Sequence, residues 1–208
     1  MAVQLPGRAE RMFEPAASRM APLIETLADR LEPVPGQRFA YFGHSLGALL
    51  AYELAREQQR RGQRTPEHLF LSGCDAPAHR QASRCLHDLD DEALIEVLHD
   101  YDGTPPEILA NRELLDLLLP TVRADFALWD RHVHRGGDPL ECPITVLAGN
   151  RDHCPGTPAI DGWAQETTAR CDIHWFEGGH FFIHPHRDPV IDCIRRSLLA
   201  SPHSFQAA

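Results

Sequence analysis

Apolar residues recur along this chain in two patterns, short unbroken runs and stripes at helical spacing. His68-Leu69-Phe70-Leu71-Ser72-Gly73 and Pro143-Ile144-Thr145-Val146-Leu147-Ala148-Gly149 are short apolar runs bounded by turn residues, which predicts buried strands. Arg38–Phe42 reads the same way, as does Asp172–Phe176, and residues 2–5 read as the tail of a strand that runs out at Pro6-Gly7. Between the runs the period changes. Met20, Leu23, Ile24, Leu27 and Leu31 predict a helix over about 15–31, ended by Pro33, Pro35 and Gly36. Leu46, Leu49, Leu50 and Leu54 predict a second helix, with a charged far end that stops at Gly62. A third is predicted over about 158–168, and a last one carries Val190, Ile191, Ile194 and Leu198 on one face.

Strands alternating with helices at short spacing predict an α/β fold, a mostly parallel sheet with helices on both faces. Residues 75–138 break the alternation. They show no strand pattern, only short helical stretches interrupted by Gly103, Pro105, Pro106 and Pro120, yet Leu114, Leu115, Leu117, Leu118 and Leu119 are too apolar for a solvent-facing insert. The predicted organisation is one core domain, 1–74 with 139–208, interrupted by a helical lid at 75–138 that carries the substrate pocket. An ordinary helical excursion packed on the sheet is the plainer alternative.

Composition narrows the functional classes. At 208 residues one domain with a sizeable core is expected. A net charge of −10 gives a nucleic-acid partner no support from the molecule as a whole. No apolar run approaches a membrane span, and Met1–Arg8 lacks a basic region followed by an apolar segment, so neither a membrane anchor nor a secretion signal is read. The six cysteines at 74, 85, 142, 154, 171 and 193 are scattered without a Cys-x-x-Cys, which favours thiols in the cytoplasm over disulfides or a zinc site. No metal or cofactor is expected, and the chain is expected to be monomeric.

The chemistry is concentrated at Arg38-Phe39-Ala40-Tyr41-Phe42-Gly43-His44-Ser45-Leu46-Gly47. Gly43 and Gly47 flank Ser45 at the Gly-x-Ser-x-Gly spacing of a nucleophile elbow, between a strand pattern and a helix pattern. A serine on such a strained turn is crowded by the residues two positions either side, so both should lack a side chain. The Leu46 N–H, first in the helix that follows, would point at an oxyanion formed on the serine's substrate. A serine hydroxyl needs a base, usually a histidine, and the base needs an acid on its other nitrogen. Parallel sheets place functional residues just beyond the carboxyl ends of strands. Ser45, Asp152 and His180 meet that rule in the chain order of α/β-hydrolases. Asp75 is the competing acid, just past the preceding strand. His174, inside a strand pattern, and His184 and His186, after the loop, read as structural or solvent-exposed, and Asp161 and Asp172 as helix-cap or strand-end residues.

Gly-His-Ser-Leu-Gly at 43–47, Gln4-Leu5-Pro6-Gly7-Arg8, Gly103-Thr104-Pro105-Pro106, Arg123-Ala124-Asp125-Phe126, Gly149-x-x-Asp152 and Gly178-Gly179-His180-Phe181-Phe182 together resemble the type II thioesterases, over about residues 3–200. These are the stand-alone editing enzymes of polyketide and nonribosomal peptide synthases. The resemblance implies hydrolysis of aberrant acyl or aminoacyl groups from the phosphopantetheine arm of an acyl or peptidyl carrier protein. It implies Ser45 as nucleophile, His180 as base and Asp152 as the residue that orients it. One departure stands out. The second oxyanion donor of this fold comes from a loop after an early strand, which in the family pattern lies upstream of Gln4. The chain thus resembles an N-terminally truncated form, lacking a strand that would sit between the 2–5 strand and the Ser45 strand. The expectation is a late start at Met1, with an in-frame upstream Pro-x-Ala-Gly-like loop, and low activity if 208 residues is the whole product.

Two alternatives remain open from the residues: a carboxylesterase or lipid hydrolase of the same fold, or a catalytically impaired paralogue that only binds carrier proteins. Arg56, Arg60, Arg61 and Arg64 form a candidate basic patch for an acidic carrier, against the plainer reading of a solvated helix end.

Overall fold

The computed structural model describes residues 1–31, 33–79, 85–101, 103–153 and 157–200, with the backbone alone described at 157 and 158. Cys154 lies outside the described residues. The chain divides into two compact units, Ile24–Arg80 with His134–Ala208 and Met1–Leu23 with Gln81–Val133. The division falls inside the first helix, α1 (Met20–Arg30), and groups the N-terminal segment with the helical residues.

The larger unit holds four strands, β1 (Tyr41–His44), β2 (Leu69–Ser72), β3 (Ile144–Gly149) and β4 (Cys171–Phe176), all parallel and in that order. Every residue of β2 and β3 is buried, as the unbroken apolar runs predict for strands covered on both faces. The edge strands are more open, with Phe42 and Trp175 nearly half exposed. Helix α2 (Leu46–Arg60) follows β1 and is buried around most of its circumference in its first half, from Ala48 to Tyr52, narrowing to Leu54, Ala55 and Gln58 toward its charged end. A second core lies under the last helix, α7 (Arg187–Ala200), where Val190 and Cys193 meet Leu147 and Phe182. Ile191, predicted on that face, is 42% exposed, and Cys193 takes its place.

The smaller unit is built from α3 (Asp91–Asp100), α4 (Pro106–Leu109) and α5 (Arg112–Asp130). Asp90 and Asn111 cap α3 and α5, accepting the Ala93 and Leu114 amides at 2.9 and 3.2 Å. Leu94, Leu115 and Leu119 form its core, with Leu89, Ile95 and Phe126 packed around them. Pro120, predicted to break the helix, lies inside α5 and is exposed. Leu115 and Leu119 before it and Ala127 and Leu128 after it are buried, and that burial outweighs the one amide hydrogen bond proline cannot make.

The strand predicted at residues 2–5 does not form. The described sheet ends at β1, and residues 2–5 pair with none of its four strands. The segment's polar groups turn instead to local partners. Arg11 donates to the Gln4 carbonyl at 2.8 Å, and the Gln4 side chain donates to the Arg8 carbonyl at 3.0 Å. Arg8 makes a forked pair with Asp125 at 2.7 and 3.1 Å, and Thr121 donates to the Gly7 carbonyl at 2.8 Å, tying the segment to α5. The helix predicted over 158–168 is shorter, α6 (Thr157–Asp161) running into a 3-10 turn at Gly162–Gln165. Among the described residues no helix is long and apolar enough to cross a membrane.

Candidate active site

Ser45 sits between β1 and α2 with φ 53° and ψ −121°, a backbone region that residues with a side chain avoid. The strain is held from both directions. The Ser45 amide donates to the Ser72 carbonyl of β2 at 2.7 Å, while the Ser45 carbonyl accepts from Ala48 and Leu49 as α2 begins. The crowding predicted at the elbow is one-sided. A Cβ on Gly43 would lie 2.1 Å from the Gly47 carbonyl oxygen, whereas a Cβ on Gly47 would meet nothing within 4 Å. With Ala48 and Leu49 turned to Ser45, helix geometry leaves the Leu46 and Gly47 amides at the mouth of α2 without intrahelical partners.

Asp152 follows β3 through a tight turn, its amide donating to the Gly149 carbonyl at 3.2 Å. The loop after β4 is brought to this turn by backbone contacts, since Arg151 donates to the Gly178 carbonyl and the Asn150 side chain accepts the Gly178 amide. Gly149 makes the approach possible: a Cβ there would sit 2.5 Å from the Gly179 oxygen and 2.6 Å from that of Gly178. Phe182, fully buried and stacked on Phe176 at 5.3 Å between ring centres, anchors the loop from below.

The result is direct contact between two of the three predicted residues. His180 Nδ1 donates to Asp152 Oδ2 at 2.9 Å, with 8% and 4% of the two side chains exposed. The acid on that nitrogen is Asp152. Asp75, the competing candidate, lies past β2 and is half-buried. His174 and His184 are exposed, and His186 donates from Nε2 to the Glu177 carbonyl.

His44, which the sequence reading did not single out, has its ring centre 5.0 Å from that of His180, and its Nδ1 is hydrogen-bonded to Ser72 Oγ at 2.9 Å. Burial, followed by the nearby His180 and His184, pushes the His44 pKa down to about 3, so this imidazole is neutral throughout the range where enzymes work. The available signal was an ionisable residue at the end of a predicted strand, directly before the serine. Ser45 at the N-terminus of α2 and the His180–Asp152 pair beyond β3 and β4 are residue types that acyl transfer uses. Among the described residues no group of three or more His, Cys, Asp or Glu side chains is placed to hold a metal ion.

The basic patch is occupied internally. Arg60 and Arg61 pair with Glu57, and Arg61 also with Asp29. Arg64 donates to the Val34 and Gln37 carbonyls, and Arg56 to that of Arg135.

Comparison with known proteins places the chain in a family. The family model described as the thioesterase domain matches residues 1–198. The gramicidin S biosynthesis protein GrsT of Aneurinibacillus migulanus is 33% identical over 202 residues, covering 96% of this chain and 79% of GrsT. Thioesterase PikA5 of Streptomyces venezuelae is 34% identical over 202 residues, covering 97% of this chain and 72% of PikA5. Among solved structures, the type II thioesterase BorB from the borrelidin biosynthetic cluster superposes with a TM-score of 0.83 at 33% identity, covering 94% of this chain and 79% of BorB. The chain therefore belongs to the thioesterase domain family, serine-type hydrolases of α/β-hydrolase fold.

Proposed function

We propose that this protein hydrolyses aberrant acyl or aminoacyl thioesters on the phosphopantetheine arm of acyl or peptidyl carrier proteins, clearing stalled synthase modules. The observation that carries the reading is the hydrogen bond from His180 Nδ1 to Asp152 Oδ2 at 2.9 Å, on the same rim of the sheet as the strained Ser45. The carrier substrate is supported by the company the chain keeps, a gramicidin S biosynthesis protein and a type II thioesterase from the borrelidin cluster.

In this mechanism His180 Nε2 takes the Ser45 hydroxyl proton as the oxygen attacks the thioester carbonyl. Asp152 holds the ring in the tautomer that leaves Nε2 able to accept, and stabilises the imidazolium that forms. The tetrahedral oxyanion accepts from the Leu46 amide. Collapse breaks the C–S bond. The departing thiol, with an ordinary pKa of about 8.5, needs less protonation from His180 than an amine would. Water, deprotonated by the same imidazole, then attacks the acyl-serine, releasing the acid and restoring Ser45. A lid role for residues 75–138 belongs to the same reading, with acyl-chain selectivity as its measure.

The test compares acetyl- and long-acyl-carrier-protein thioesters with p-nitrophenyl esters, alongside fluorophosphonate labelling. Labelling at Ser45 with turnover of the carrier thioesters in preference to oxygen esters supports the proposal. Preference for oxygen esters points to a carboxylesterase. Folded protein that resists the probe points to a non-catalytic carrier-binding role.

A further inference from the structure

The chain between α5 and β3 runs from His132 to Pro139 without secondary structure. Among the described residues, no amide or carbonyl from His134 to Pro139 joins a backbone–backbone hydrogen bond; such pairing stops at His132, which donates to Trp129, and resumes at Leu140. Arg135 to Pro139 are exposed, with Gly136 and Gly137 at the centre.

The stretch is held by side chains from one face of α2, where Tyr52, Arg56 and Gln59 stand about one turn apart. Arg56 donates from Nη2 to the Arg135 carbonyl at 2.5 Å and from Nη1 to Glu53 at 3.4 Å, and its guanidinium lies over the Tyr52 ring, 5.5 Å from the centre. Gln59 donates to the Pro139 carbonyl at 3.1 Å. Gly137 passes so close that an added Cβ would stand 2.9 Å from Arg56 Nη2. Glu166 holds both ends. Its carboxylate accepts from the Tyr52 hydroxyl and faces His134 Nε2 at 3.8 Å, while its carbonyl accepts the Leu140 amide at 2.9 Å.

A segment held in this way can be released locally. A strand gives up its ladder only as the sheet opens, whereas exposed backbone groups that pair with no other backbone lose little to water on release. Two adjacent glycines take up the change in φ and ψ without steric cost. Beyond them the chain is fixed again, because Leu140 is buried and its carbonyl accepts the Thr168 amide at 2.8 Å. The guanidinium matters most, since it touches the stretch at both Arg135 and Gly137. A lysine could reach the carbonyl but could not also lie flat on Tyr52 and reach Glu53.

We propose that residues 134–139 form a releasable strap on α2, keyed by Arg56, which leaves its seat and returns without unfolding α2 or β3. The strap is independent of the thioesterase reading. Its consequence for acyl-chain selectivity rests on the lid role proposed above for residues 75–138.

Limited trypsin digestion of the whole chain reads the strap directly, because Arg56 binds the carbonyl of the bond to be cut, Arg135–Gly136. Cleavage there, followed by mass spectrometry over a series of urea concentrations, should proceed in the wild type at a rate nearly independent of urea below the unfolding transition. Arg56→Ala should raise the rate about tenfold and Arg56→Lys about threefold. Gly137→Ala pushes the guanidinium off its seat while leaving Arg56 in place and should raise the rate about fivefold, so it decides the matter even where Arg56→Ala fails to fold. In amide relaxation dispersion, Gly136 and Gly137 should show microsecond-to-millisecond exchange in the wild type that is lost in Arg56→Ala.

A wild-type cleavage rate that rises with urea as steeply as global unfolding overturns the strap. Rates for Arg56→Ala and Gly137→Ala within about twofold of wild type overturn it as well. Hydrolysis of acetyl- and octanoyl-N-acetylcysteamine thioesters by the same variants reads the consequence, and a loosened strap should change the ratio of the two kcat/KM values by about fivefold. Faster cleavage with an unchanged ratio supports the strap and counts against the lid role.

Discussion

At Gly43 a methyl group would be driven into the backbone of Gly47, 2.1 Å from its oxygen, whereas at Gly47 it would enter open space. Neither partner in the first collision is a flexible side chain, so Gly43→Ala should cost about 3 kcal/mol or more, or abolish soluble expression. Gly47→Ala should leave the melting temperature unchanged or raise it, since alanine is favoured over glycine within a helix by about 1 kcal/mol. Thermal melts of the pair check the asymmetry, and equal destabilisation would contradict the described elbow. Under the proposed mechanism the effect at Asp152 falls on chemistry. Asp152→Asn keeps the shape but favours the wrong tautomer of His180, so kcat should fall by about a thousandfold or more with the fold intact. Circular dichroism beside thioester turnover distinguishes that from unfolding.

Helix α5 carries its proline without a local reason to tolerate it. Pro120 is exposed, while Leu115 and Leu119 are buried in the core of the helical unit. Pro120→Ala restores an amide and removes a ring clash without opening a cavity, so stability should rise by about 1–3 kcal/mol, read as a higher denaturation midpoint. The N-terminal segment depends on the same helix. The forked Arg8–Asp125 pair is about one-third exposed at each side chain, so screening by water limits its worth to about 1 kcal/mol. Asp125→Ala should therefore lower the melting temperature only slightly while exposing the segment around Gly7 to limited proteolysis. Unchanged cleavage would mean that Thr121 and the packing of Gly7 against Ala16 hold the segment without the ion pair.

Across the molecule, two buried histidines set the acid limit of the fold. His44 is pushed down to about 3 and His68, stacked on Phe70 and bonded to Thr145 Oγ1, to about 4, both chiefly by burial. Below the unfolded value of 6.5 the unfolded chain binds protons that the folded chain refuses, so stability is full above pH 6.5 and declines as pH falls toward 4. Melting temperatures should fall over that window, and His68→Phe should flatten the decline; a flat profile from pH 7 to 4.5 would contradict the burial of these rings. Much of this design was already legible in the sequence. Buried parallel strands write themselves as unbroken apolar runs, as at Leu69–Ser72 and Ile144–Gly149, and the turn at Ser45 has room because of a glycine only two positions before it. Asp152 and His180 were legible as strand-end residues because that rule is also local. Their contact was decided in three dimensions, by a glycine on β3 that lets the carbonyls of a loop beyond β4 approach it. The same holds for His44, whose Ser72 partner is 28 residues away and whose neighbour His180 lies beyond two further strands. The continuity of α5 through Pro120 and the failure of residues 2–5 to form a strand are decisions of the same kind. Periodicity records which face of an element must be buried. Whether a neighbour is present to pair with that element, or to overrule its local preference, is settled only when distant segments pack.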